Sequence, residues 1–346
     1  MTILCTLFNA NYLDKGLTMY ESLEKVSNDF KLYVLAMDDR CYDILRTENR
    51  KHIIPIKLSD FENEKLLKVK NSRSLGEYCW TCSSSLIKYI FEKYNPDYCA
   101  YIDADLYFYS DPSVIVEEMK NKNASVQITG HRFNKYEEKS KSRIVGKYCV
   151  EYNTFKNDDN GNKLLNIWIN QCIEHCSIDG DGKYWGDQKY MDNWIEDYNF
   201  VIETKEMGLG VAPWNINQYK SVKNKFPTIK HNGKDINLIM YHFENIQYYN
   251  INTIKLNVYA RWGVDDKLIN MLYYPYLKHI NLIKEHIKNK YNLDILITHH
   301  PGVKQIKRNR KSFLKRVIDF SKNFKTLLYY KIPLQLFKNK DIINLY

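Results

Sequence analysis

No stretch of the sequence stays apolar for the ~18 residues that a membrane-spanning helix needs. Its first residues, MTILCTLFNANYLDKG, show neither a basic n-region nor a small-residue cleavage site. They read as the first strand of a fold, and a cytoplasmic location is the expectation. No G-x-G-x-x-G follows that strand, which counts against an NAD or FAD enzyme, and no glycine-rich phosphate loop occurs elsewhere. Internal repeats and low-complexity linkers are missing too. The cysteines lack zinc spacing: Cys79 and Cys82 form a C-x-x-C, but they share one face of a helical pattern with Leu75, Leu86 and Ile90, and Cys172 and Cys176 make a poor second pair. Reduced, structural thiols are expected.

What is present is a soluble, globular composition, 44% hydrophobic and 27% charged, in 346 residues. That length allows one large α/β domain with an appendage, or two domains. Tyrosine is abundant, which suits amphipathic pockets such as sugar platforms, although packing with a bonded hydroxyl is its commoner use. The net charge of +10 is uneven: Lys304 to Lys325 holds nine Lys or Arg against Asp319 alone.

The first half alternates strand-like and helix-like segments. Thr2 to Phe8, KLYVLAM and HIIPIKL read as strands, and LDKGLTMYESLEKV, CYDILRTE and Ser74 to Tyr94 as helices. Such βα units imply a largely parallel sheet with helices on both faces. Further on, ASVQITGHRF, GKYCVEYNTFKN and INLIMYHF look like strands. KLLNIWINQCIEHC, GDQKYMDNWIEDY and Asp265 to about Tyr291 look helical, and Pro301-Gly302 is the clearest boundary.

Pro96 to Pro112, PDYCAYIDADLYFYSDP, asks for a chemical reading. Tyr98 to Ile102 is a short buried strand whose C-terminal end carries Asp103 and Asp105, where open α/β sheets bind their ligands. Two carboxylates so close repel unless a cation lies between them, so a divalent metal on hard oxygen ligands is expected. A second D-x-D, Asp179 and Asp181, sits among glycines and reads as a solvated turn.

Taken in order, CTLFNANYLDKGLTMYESL, EYCWT, AYIDADLYFYSDP, WGDQKYMDNW, GVAPWNI and YHF resemble a bacterial family of nucleotide-diphospho-sugar transferases. That family is related to glycogenin-like and lipopolysaccharide glycosyltransferases of the GT-A fold, and the resemblance covers about residues 1–250. It implies an α/β fold with a GT-A-type, Rossmann-like mixed sheet flanked by helices. A helical extension at 251–300 and a basic tail at 301–346 follow. It also implies metal-dependent transfer from a nucleotide-diphosphate sugar, a UDP-sugar by expectation, to a glycan acceptor in surface polysaccharide synthesis. Retention of configuration is favoured only by kinship.

The resemblance assigns the metal to Asp103 and Asp105, flanking Ala104, and to His242 of MYHFEN. Two carboxylates and one imidazole suit Mn²⁺ better than calcium, with Mg²⁺ as a substitute. A core histidine between Tyr241 and Phe243 is the alternative for His242. Thr6, Phe8, Asn9 and Tyr12 match the loop around base and ribose. Asp187 and Gln188 match the pair facing donor sugar and acceptor, though Asp187 could instead cap a helix. His131, Asn153, Trp214 and Asn215 are further pocket candidates, with buried structural roles as the equal alternative. Arg73 precedes a capping box, Ser74-x-x-Glu77, and a helix N-terminus beside an arginine suits a diphosphate, a solvated arginine being the bland alternative. Where the wider group has a lysine soon after the histidine, this chain reads HFENIQYY, with Asn245 and Gln247. Arg73 or another cation must then replace that charge, or the donor is held loosely.

In the tail, Phe313, Val317, Phe320, Phe324 and Leu327 recur at helical spacing among lysines and arginines. Residues 303–328 thus form a basic amphipathic helix suited to an anionic inner leaflet and a lipid-linked acceptor, or else to packing on the catalytic domain. Nothing points to nucleic acid. A metal-dependent phosphohydrolase or nucleotidyltransferase, and a non-catalytic glycan-binding scaffold, are the rival functions.

Overall fold

A computed structural model describes residues 1–178, 183–248, 253–259, 263–295 and 342–344. Asp179, Asp181 and the basic segment 303–328 lie outside them. The first part of the chain runs β1 Thr2–Phe8, α1 Leu13–Val26, β2 Phe30–Ala36, α2 Asp39–Glu48, β3 Ile53–Lys57, α3 Leu58–Phe61, α4 Glu64–Lys70, α5 Leu75–Tyr94, β4 Tyr98–Ile102 and β5 Leu106–Phe108. It continues with α6 Val114–Asn121, β6 Val126–Gly130, α7 Glu138–Val145, β7 Tyr148–Lys156, α8 Asp159–Glu174, α9 Trp194–Asp197 and β8 Val201–Glu203. The last part holds β9 Tyr219–Ser221, β10 Thr228–His231, β11 Lys234–Asn237, β12 Met240–His242, β13 Gln247–Tyr248, β14 Thr253–Lys255, α10 Asp266–Tyr291 and β15 Ile342–Asn344.

Strand β1 is buried at every position and β2 at all but Lys31, as strands covered by helices on both faces must be. The central sheet has the order β3-β2-β1-β4-β7-β6-β8. Its strands are parallel except β7, which runs antiparallel to both β4 and β6. This is the Rossmann-like mixed sheet that the alternating pattern and the resemblance led us to expect. One face is covered by α1 and the end of α10, through Leu13, Leu17, Ile283 and Ile287; the other by α5 and α8, through Leu86, Ile90, Leu165 and Trp168.

Two expectations change in detail. GDQKYMDNWIEDY is not one helix: it forms a 3-10 turn, Lys189–Asn193, followed by the single turn α9. Asp187 precedes that turn without capping it, because its side chain is bonded to Ser83 on α5. INLIMYHF is not one strand either. The N–H groups of Ile239 and Met240 turn to the Gly208 carbonyl, which separates β11 from β12. Only Met240–His242 continues, and it pairs antiparallel with β5, placing His242 opposite Leu106, the residue after Asp105.

Much of the tyrosine is used for packing. Tyr241, Phe243, Tyr273 and Tyr276 fill a second core between β12 and α10, and the Tyr241 and Tyr273 hydroxyls meet at 2.9 Å. All eight cysteines are free thiols, and only Cys79 is less than buried.

Candidate active site

The Asp103-Ala104-Asp105 turn joins β4 to β5 at the end of the central sheet. The Asp103 N–H donates to the Glu151 carbonyl on β7, and the Phe243 N–H to the Asp105 carbonyl, so the turn is pinned from both sides. Pairing of β12 with β5 then brings His242 in: Nε2 lies 3.0 Å from Asp105 Oδ1 and 3.8 Å from Asp103 Oδ2. On its other side, Nδ1 lies 2.7 Å from Oε2 of Glu151, which is 0% exposed. Carboxylate oxygens accept, so the ring donates from Nδ1 to Glu151 while Nε2 faces the aspartates and, with the ring charged, donates to Asp105.

Burial pushes the Asp103 carboxyl up to about 7; His242 opposes this, while Asp105, Asp187 and Glu151 add to it. Burial pulls the His242 imidazole down, but Asp105 and Glu151 outweigh it and hold the ring well above its ordinary value. One ligand atom each of Asp103, Asp105 and His242 lies within 4.8 Å of the others. Two carboxylates and an imidazole whose far nitrogen is held by a buried carboxylate form a donor set that fits Mn²⁺ or Mg²⁺. Cys149, Glu151 and His242 meet the same distance limit, yet burial drives the Cys149 thiol far up, away from the thiolate a metal needs.

Two residues of this site escaped the sequence reading. Glu151 is the only charged residue between Tyr148 and Phe155 of β7, a lone acid in a buried strand, and that was a signal. Lys15 follows Asp14 in the first turn of α1 with its side chain only 2% exposed; its ammonium lies 4.0 Å from the centre of the Tyr12 ring and 4.0 Å from Asp105 Oδ2.

The predicted loop around a nucleotide base also borders this corner. Thr6 is buried in β1, and its hydroxyl has no hydrogen-bond partner among the described residues. Phe8 is packed under Gly16, where an added Cβ would fall 2.4 Å from the ring. Asn9 accepts from the Asn11 N–H and opens the short turn that carries Tyr12.

Asp187 is buried near Asp103. One oxygen accepts from the Ser83 hydroxyl at 2.5 Å, and burial raises its carboxyl to about 7. Gln188 spends its amide N–H on the Val145 carbonyl at 2.6 Å. The Trp214 ring stands edge-on to His242 at 5.5 Å and to His131 at 5.3 Å. Burial holds His131 down at about 3, so it is neutral.

Three further candidates, Asn153, Asn215 and Arg73, are held by structural hydrogen bonds. Asn153 bridges the irregular β6–β7 register, accepting from the Thr129 N–H and donating to the Cys149 carbonyl. Asn215 closes the Gly210–Asn215 loop, with its amide on the Gly210 and His131 carbonyls. The Arg73 guanidinium clamps the end of α8 to α5, through the Cys172 and Ile173 carbonyls and the Thr81 hydroxyl. Its capping-box neighbours Ser74 and Glu77 are as expected.

The fold and site thus define an α/β protein with a carboxylate–histidine centre at the end of its sheet. The chain is 30% identical to the YfnF protein of Bacillus subtilis (strain 168) over 282 residues, 80% of this chain and 91% of that one. It is 31% identical to YfnD of the same organism over 279 residues, 79% and 86% of the two chains. It belongs to the family of these proteins, both described as uncharacterized. No family model matches it. Among solved structures, apo mouse xyloside xylosyltransferase 1 is similar at TM-score 0.46 and 11% identity, over 70% of this chain and 98% of that one. The galactosyltransferase LgtC, solved with donor and acceptor sugar analogs, is similar at TM-score 0.43 and 12% identity, over 70% and 87%.

Proposed function

We propose that the protein is a metal-dependent glycosyltransferase that uses a nucleotide-diphosphate sugar, a UDP-sugar in the simplest case, and a glycan acceptor. The observation that carries this reading is His242, held by Glu151 on one nitrogen and turned by the other to Asp103 and Asp105. A divalent cation bound there would neutralise the charge that builds on a departing diphosphate. Asp103, Asp105 and His242 hold the cation, and Glu151 fixes the ring that faces it. Tyr12, Phe8, Asn9 and Thr6 border the nucleoside. Asp187, buried and anchored on Ser83, and Gln188 stand where donor sugar and acceptor meet. The catalytic unit spans 1–250 with α10 along α1, and the basic segment 303–328 brings it to an anionic membrane surface and a lipid-linked acceptor.

The test is calorimetric titration of UDP into the full chain with and without Mn²⁺, and into Asp105→Ala. Binding that requires both the metal and Asp105 supports the reading. Failure of wild type to bind UDP with Mn²⁺ overturns the donor assignment.

A further inference from the structure

Lys15 is a buried cation beside the carboxylate turn. Its neighbour Asp14 faces the other way, with Oδ2 3.4 Å from the Lys284 ammonium of α10, so the two successive charges of α1 serve different elements. Lys15 points to the carboxylate turn. Its position is fixed from below, because Gly16 lets α1 press on the Phe8 ring at the end of β1. Burying an ammonium costs several kcal/mol unless its N–H groups find anions. The Tyr12 face offsets part of that cost, and Asp105 Oδ2, at 4.0 Å, attracts it from beyond hydrogen-bond length. Asp105 meanwhile gives its other oxygen to His242. A cation shared by Asp105 would weaken its hold on Lys15 and leave the ammonium beside the metal's remaining ligand.

Among the described residues, Arg73 is engaged and the positions after His242 carry no cation. Arg73 is spent on the end of α8, and Asn245 and Gln247 stand where the resemblance places a lysine. Asn245 itself donates to the Tyr259 hydroxyl at 3.0 Å.

We propose that Lys15, fixed on the Tyr12 ring beside Asp105, is a binding residue for the diphosphate of a nucleoside diphosphate held at the Asp103–Asp105–His242 centre. The inference rests on the glycosyltransferase reading and names how its donor is gripped without the usual lysine. The ammonium donates to a β-phosphate oxygen, so it discriminates a diphosphate from a monophosphate.

UDP and UMP are titrated, with saturating Mn²⁺, into wild type and Lys15→Met, which keeps the length of the side chain and removes its charge. Mn²⁺ alone is titrated into both. A charge-assisted contact of this kind predicts UDP binding weakened about tenfold or more, UMP changed less than about threefold, and Mn²⁺ alone bound no more weakly. Unchanged UDP affinity overturns the assignment, as does an equal loss for UDP, UMP and bare Mn²⁺, which would make Lys15 a support for Asp105. Thermal melting checks the fold, and if Lys15→Met does not fold, Lys15→Gln is titrated with the same expectations. Absence of UDP binding by wild type removes the glycosyltransferase reading itself, a result distinct from a wild type that binds and a variant that binds equally.

Discussion

His242 Nδ1 and Glu151 Oε2 are 2.7 Å apart, across 91 residues of sequence, and both groups are buried. That bond decides which imidazole nitrogen faces Asp103 and Asp105. Such partners of a ligand histidine typically contribute 10–100-fold to metal affinity. Glu151→Gln keeps the shape but also leaves an amide that can turn its N–H toward Nδ1. We predict a loss of Mn²⁺ affinity of about 10-fold or more, read by calorimetry, with the melting temperature monitored. Wild-type affinity in a folded variant would show that the bond only packs the core.

Asp187 gives a pH dependence with a definite sign. Burial raises its carboxyl to about 7, above an ordinary value of 3.8. Folding therefore favours the protonated form, so this contribution is fully present below the ordinary value and is lost as pH rises through about 7. Its full size is of order 4 kcal/mol. In the presence of chelator, Asp187→Asn is expected to melt higher than wild type at pH 8 and to lose that advantage at pH 4. An advantage independent of pH would mean that Asp187 titrates normally.

Much of this was legible in the sequence, for physical reasons that also set the limits. Apolar runs of strand and helix length gave β1, α1, β2, α2 and α5 because each buries a continuous face. Asp103 and Asp105 stood out because an apolar strand ends on them. Glu151 and Lys15 did not, since their meaning depends on partners brought together by the β7–β4 and β12–β5 pairings. The same holds for the split of INLIMYHF, which a backbone contact with Gly208 imposes from outside the segment. For Arg73 the sequence shows the helix N-terminus beside it but not the α8 carbonyls that take its guanidinium.

Those carbonyls make Arg73 a test of structure against binding. Charge-assisted hydrogen bonds contribute roughly 1.5–3 kcal/mol each. Arg73→Met should lower stability by on the order of 2–3 kcal/mol in urea unfolding, while UDP affinity with Mn²⁺ stays within about threefold. A large loss of UDP affinity at unchanged stability would return Arg73 to the diphosphate.

Two helical glycines carry opposite expectations. At Gly16 an added Cβ would lie 2.4 Å from the buried Phe8 ring, whereas at Gly76, early in α5, it would meet nothing within 4 Å. Gly16→Ala forces α1 off β1, and overpacking of this kind costs about 1–3 kcal/mol. Gly76→Ala gains from the lower backbone entropy of the unfolded chain, by up to about 1 kcal/mol. Urea unfolding of the two variants should therefore move in opposite directions from wild type. Because Tyr12 immediately precedes α1 and Lys15 lies in its first turn, Gly16→Ala should also weaken UDP binding, and Gly76→Ala should not. If Gly16→Ala were as stable as wild type, the contact between α1 and the Phe8 ring would be looser than described, and the placement of Lys15 beside Asp105 would lose its anchor.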